Sequence, residues 1–194
     1  MKNIAVLVSG GGTNLQAIIN AQKDGIVKSG KITLVISNNP DAYALTRAQN
    51  SGIKTAIVSK KELGGGFEDE LIKTLEENNI DFIVLAGFMC ILSEKFTTRF
   101  ANRIINVHPS LIPSFCGKGF YGLHVHEAAL EYGVKVTGAT VHFVNEIPDG
   151  GKIIMQKAVN ILENDTPETL QKRVMEEAEW KILPLALEKV CSEI

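Results

Sequence analysis

The chain has 194 residues, 45% hydrophobic and 22% charged, with 20 basic against 22 acidic side chains and a formal net charge of −2. That length supports one good core and is short for two, and the balanced charge leaves no electrostatic footprint for nucleic acid or an anionic membrane. Cys90, Cys116 and Cys191 are widely spaced with no CxxC, which argues against a structural zinc site and against a disulfide framework.

The N-terminus, "MKNIAVLVSGGG", carries one lysine and a short apolar run that glycines end at once, so it reads as a first strand (3–9) rather than a signal peptide. No apolar stretch approaches the ~18 residues of a membrane span, and a cytoplasmic location is expected. The strand ends in "SGGGTNLQ", where the glycines permit a tight turn and Thr13 or Asn14 can cap the next helix. Exposed N–H groups at such a helix start, aided by its dipole, suit an anion. The alternative is a glycine-rich turn with no ligand; the phosphate reading is favoured because this crevice is the usual ligand edge of an α/β sheet. Leu15 breaks a G-x-G-x-x-G, the second strand ends "ISNNP" without an acidic residue for a ribose, and no G-K-[ST] occurs. A monophosphate therefore fits better than a dinucleotide.

Apolar runs rich in β-branched residues recur at 31–37, 54–59, 81–88 and 103–107, without polar alternation, as expected of strands buried on both faces of a parallel sheet. Helical segments lie between them: "TNLQAIINAQKDG", "PDAYALTRAQNSG", "FEDELIKTLEENN" and "ILSEKFTTRF". The alternation predicts a Rossmann-like doubly wound α/β fold with a mostly parallel sheet.

At the end of the fifth run, "INVHPSLIPSF" places Asn106 and His108 two residues apart at a strand's carboxyl end, with Pro109 and Pro113 stiffening the segment beyond them. Spacing of two sends both side chains to one side. An amide and a protonated imidazole there could hold a developing oxyanion, or could simply satisfy a strand terminus. Asp149, in the tight "PDGG" turn, is a candidate third partner that would raise the imidazole pKa. The irregular stretch 108–123 contains a literal G-x-G-x-x-G at Gly117, Gly119 and Gly122, but no strand directly precedes it, so it reads as a flexible surface loop or a flap. His124 and His126, two apart at a helix start, should diverge and make a poor metal site. His142 lies in a strand and reads as a satisfied polar group, its role open.

After residue 133 the runs "VKVTGATVHFVN" and "GKIIMQKAVNI" alternate and are joined by "EIPDGG", which predicts two longer, antiparallel strands. A last helix opens at Asp165, Thr166 and Pro167, and Pro184 should kink or break it.

"HPSLIP", taken with "SGGGTNLQ", "LAGFM" and "DGG" in that family's order, closely resembles the glycinamide ribonucleotide formyltransferases of purine biosynthesis over the length of the chain. The resemblance implies one formyltransferase domain over 1–194, with a nucleotide-binding half (1–105) and a catalytic and folate-binding half (106–194). It implies transfer of formyl from 10-formyltetrahydrofolate, a co-substrate, to the amine of glycinamide ribonucleotide, with no tightly bound cofactor and no metal. It implies small-molecule partners only, in a monomer or weak homodimer. Catalytic roles fall on Asn106, His108 and Asp149. Substrate phosphate and ribose contacts fall on Gly11, Gly12, Thr13, Asn14 and Glu179. The folate pocket falls on Met89, Cys90, Ile91, Leu92, Asn106, Asn145, Glu146, Ile147, Pro148 and Asp149.

Two departures concern the folate tail: Cys90 stands where relatives often carry Arg, and an Arg common before the third helix has no counterpart in "KKELGGGFEDEL". Near Glu179, Trp180 replaces a frequent His, and one residue is inserted. A formyltetrahydrofolate deformylase, expected to carry an extra N-terminal domain, and a methionyl-tRNA formyltransferase, expected to carry a C-terminal RNA-binding one, are the rival enzymes. A catalytically silent nucleotide- or folate-binding module is the rival outside enzymes.

Overall fold

A computed structural model describes residues 1–193. Seven strands form one sheet in the order β3-β2-β1-β4-β5-β6-β7. They are β1 (Lys2–Val8), β2 (Gly30–Ser37), β3 (Lys54–Ile57), β4 (Phe82–Leu85), β5 (Ile104–His108), β6 (Val136–Phe143) and β7 (Ile153–Asn160). The first five are parallel, and β6 and β7 pair antiparallel, as the change from continuous to alternating apolar runs predicts.

The apolar runs are continuous because both faces of the sheet are covered. Ile4, Val6 and Val8 of β1 face one layer, which is built with α1 (Thr13–Lys23), α7 (Pro167–Val174) and α8 (Trp180–Glu193). Ala5 and Leu7 face the other, where α4 (Phe67–Glu77) and α5 (Glu94–Arg99) deliver Phe67, Leu71, Leu75 and Phe96. Each such fully buried Leu or Phe contributes roughly 1.5–3 kcal/mol of transfer free energy. The remaining helices are α2 (Tyr43–Asn50), the single turn α3 (Lys60–Leu63) and α6 (Leu123–Tyr132). Neither α3 nor the 3₁₀ turn Gly64–Gly66 has a periodic pattern behind it; Ser59 accepts from the Glu62 N–H and starts α3.

In the last helix a break at Pro184, one of the two outcomes expected there, does not occur. Pro184 lies inside α8 without ending it, and the irregularity sits upstream as a π-helical turn over Met175–Glu179. The proline lacks an N–H for the Trp180 carbonyl, so its disturbance falls next to a turn whose register is already widened. A π turn holds one residue more than the α register.

Strand order reverses between β1 and β4. At their carboxyl ends the loops Ser9–Gly12 and Ala86–Ser93 depart to opposite sides and open the crevice typical of such sheets.

Candidate functional site

The glycine turn enters this crevice from β1. Gly12 has φ 73°, and a Cβ placed there would lie 2.6 Å from the Ala44 Cβ, so glycine alone allows both the turn and the approach of α2. Among the described residues no protein group accepts from the N–H groups of Gly11, Gly12, Thr13 or Asn14. Asn14 is buried and donates from Nδ2 to Glu179 Oε2 at 2.6 Å, while its Oδ1 has no partner. Burial pushes the Glu179 carboxyl up to about 6 against the Asn14 hydrogen bond, which lowers it. The π turn therefore delivers Glu179 to the start of α1, 165 residues away in sequence.

The segment Met89–Leu92 follows β4. Ser9 Oγ accepts from the Met89 N–H at 2.8 Å, tying this segment to the glycine turn. Met89 and Ile91 are exposed and Leu92 is buried, while Cys90 Sγ receives Asn38 Nδ2 at 3.1 Å. Cys90 is thus engaged with a neutral amide. Asn145–Asp149 closes the crevice from the β6–β7 connection: Asn145 Oδ1 accepts from the Ile147 N–H, and Ile147 is exposed. The turn needs Gly151, because a Cβ there would sit 1.8 Å from the Phe143 carbonyl oxygen.

Asn106 and His108 lie on β5 opposite His142 and Thr140 of β6. Asp149 Oδ2 is 3.5 Å from His108 Nδ1, and its Oδ1 is 3.5 Å from His142 Nε2. One carboxylate therefore bridges two buried imidazoles. Burial alone would raise the Asp149 carboxyl, but His142, His108 and the Gly117 N–H together hold it below the usual range. For His108 the balance differs. Burial lowers its pKa, and the Asp149 charge and the Phe115 carbonyl recover only part of that loss. Asp149 acts in the expected direction without prevailing.

His142 belongs to this cluster and is more than a satisfied polar group on a strand. Its Nδ1–H donates to the Phe143 carbonyl at 2.7 Å; in the neutral ring Nε2 then accepts from Asn106 Nδ2 at 3.2 Å, and only the protonated ring donates towards Asp149. That contact fixes which way the Asn106 amide faces. Only the cross-strand register could have revealed it.

The stretch 109–122 is irregular, as expected, but it is docked on the cluster rather than loose at the surface. The Phe115 carbonyl accepts from His108 Nε2 at 2.8 Å, and the Gly117 N–H donates to Asp149 Oδ2 at 2.8 Å. Phe115 also packs edge-on against Phe120 and Tyr132. The next two histidines diverge. His124 is exposed beside Glu127, whereas His126 is fully buried with neither ring nitrogen partnered. Among the described residues no group of three or more His, Cys, Asp or Glu side chains could hold a metal ion, and no helix is long and apolar enough to cross a membrane.

Residues 2–187 match the family model described as "Formyl transferase". The chain is 45% identical to the phosphoribosylglycinamide formyltransferase of Haemophilus influenzae, over 96% of this chain and 86% of that protein. It is 40% identical to the chloroplastic phosphoribosylglycinamide formyltransferase of Arabidopsis thaliana, covering 99% of this chain but 66% of that relative's length. Among solved structures, it superposes on glycinamide ribonucleotide transformylase 1 from Symbiobacterium toebii with a TM-score of 0.92 at 40% identity, over 100% of this chain and 89% of that one.

Proposed function

The chain belongs to the formyl transferase family, and on that premise we propose that it moves the formyl group of 10-formyltetrahydrofolate to the amine of glycinamide ribonucleotide, giving formylglycinamide ribonucleotide in purine biosynthesis. The single observation that carries this reading is the meeting of Asn106, His108 and Asp149 beside a glycine turn with unclaimed N–H groups. The turn takes the substrate phosphate, with Asn14 and Glu179 positioned for ribose hydroxyls. The folate, a dissociable co-substrate, lies between Met89–Leu92 and Asn145–Asp149, where exposed Met89, Ile91 and Ile147 offer apolar contact.

The neutral amine attacks the formyl carbon and the carbonyl oxygen becomes an oxyanion. Asn106 has one Nδ2 hydrogen committed to His142 and a second free to donate. His108 donates from Nε2, which requires the Phe115 carbonyl to give up its present contact. Asp149 holds and charges the imidazole from the other side. Collapse of the intermediate breaks the bond from carbon to folate N10, which takes the proton the amine loses. Donors aimed at developing charge are worth about 2.7–4 kcal/mol each in acyl transfer. The test is direct: purified chain, 10-formyltetrahydrofolate and glycinamide ribonucleotide should yield formylglycinamide ribonucleotide. Release of formate at the same rate with and without the amine would assign the chain to water as acceptor and overturn the proposal.

A further inference from the structure

The glycine turn owes its orientation to a residue outside it. Ala44, in the first turn of α2, donates its N–H to the Gly10 carbonyl at 3.0 Å. One helical turn on, Arg47 donates from Nε to the Gly11 carbonyl at 2.8 Å. These peptide bonds are trans, so each carbonyl and the N–H of the same unit point opposite ways. With the Gly10 and Gly11 carbonyls both drawn towards α2, the N–H groups of Gly11 and Gly12 must both point away from it. Two successive N–H groups on one side form a nest for an anion, continuous with the free N–H groups of Thr13 and Asn14.

Arg47 is itself held. Nη1 donates to Gln16 Oε1 at 3.2 Å, and the guanidinium lies 5.0 Å from the Tyr43 ring centroid. The planar fork therefore reaches the turn and the flank of α1 together, which a single-point donor cannot do. The close fit of Gly12 against Ala44 keeps α2 at the distance the contact needs. At the same helix start, the unpartnered Oδ1 of buried Asn14 is a second, independent sign that a ligand completes the site.

We propose that Arg47 is a positioning residue for the phosphate of the substrate: by holding the Gly11 carbonyl it turns the glycine N–H groups into the crevice, without touching the ligand. This rests on the proposed substrate. The experiment separates the two. In Arg47→Met the KM for glycinamide ribonucleotide should rise by about tenfold, the size of one charge-assisted hydrogen bond, while kcat at saturation and the KM for 10-formyltetrahydrofolate stay within about twofold. Glycinamide riboside, which lacks the phosphate, should be used equally well by both proteins. Inorganic phosphate should shift the amide resonances of Gly11, Gly12 and Thr13 in the unaltered chain, and bind about tenfold more weakly to the variant. Arg47→Lys, which keeps the charge but not the fork, should recover less than half of the loss. Equal losses on ribonucleotide and riboside, unchanged phosphate binding, or full recovery by lysine would each overturn the inference. If phosphate binding depends on Arg47 but glycinamide ribonucleotide is not formylated, the positioning role stands and the substrate reading falls.

Discussion

Replacing Asp149 by Asn keeps the side chain's shape and removes its charge. The retained amide oxygen can still accept the Gly117 N–H, so the docked loop should survive. The charge stands 3.5 Å from His108 Nδ1, and both side chains are largely shielded from solvent. At that separation its field on an imidazolium amounts to about 1 kcal/mol with the screening of bulk water and about 5 kcal/mol at the effective dielectric typical of protein sites. His108 already lies below its ordinary pKa because burial outweighs Asp149, so the variant keeps only the Phe115 carbonyl to offset desolvation. Its pKa falls further, and the protonated donor is confined to lower pH, where the substrate amine is increasingly protonated and unreactive. Near neutral pH, kcat should fall by between about tenfold and about a thousandfold, with both KM values little changed. The assay is kcat against pH from 5 to 9 for both proteins, with the folded state checked by circular dichroism. The variant's maximum must move to lower pH. A profile of unchanged position, with kcat within about twofold throughout, would mean that Asp149 does not charge His108 and that the oxyanion is held some other way.

Three further outcomes are expected. Gly12→Ala must accept a left-handed φ, costing about 1–2 kcal/mol, and press its Cβ on Ala44; steady-state kinetics should give a KM for the ribonucleotide raised by about tenfold or more and a nearly unchanged KM for the folate. His142→Phe removes the acceptor that orients Asn106, so kcat should drop by about tenfold with both KM values retained, and loss confined to KM would place His142 in binding instead. His126 is held down to about 4, first by burial and then by His108, so the native state binds fewer protons than the unfolded chain between pH 6.5 and about 4. Stability should therefore decline as pH falls through that window, by about 2 kcal/mol between pH 7.5 and pH 5. Glu179, raised to about 6, opposes part of this below pH 6. Urea midpoints should lose most of their pH dependence in His126→Phe, and an unchanged slope would clear His126.

The features legible in the chain have local causes. Continuous apolar runs mark strands covered on both faces, and the alternation after residue 133 marks the antiparallel pair; both patterns act residue by residue. The glycine turn and the pair Asn106 and His108 are visible because each lies within a few residues. The hidden features are set by register and distance. His142 reads like any strand histidine until β6 is aligned on β5, and only then does its ring meet Asn106. The stretch 109–122 has the composition of an exposed loop, yet its backbone groups, which carry no sequence signature, make its contacts with His108 and Asp149. Arg47 reads like an ordinary helix-surface cation because its partner is a carbonyl 36 positions earlier. α3 is stabilised by one capping contact, too little to leave a periodic pattern.

The π turn at Met175–Glu179 also says where this fold tolerates a change of chain length. In a straight α-helix, an added residue rotates everything beyond it by about 100°, which would turn Leu183 and Leu187 away from the layer they fill. Confined to one widened turn, the extra residue leaves Leu170 and Val174 seated before it and Leu183 and Leu187 seated after it. The slack is taken up where Glu179 faces the site. A residue gained or lost in that turn would adjust the approach of the carboxylate to Asn14 while sparing the core, making it a place where the reach of the site can be tuned without repacking the protein.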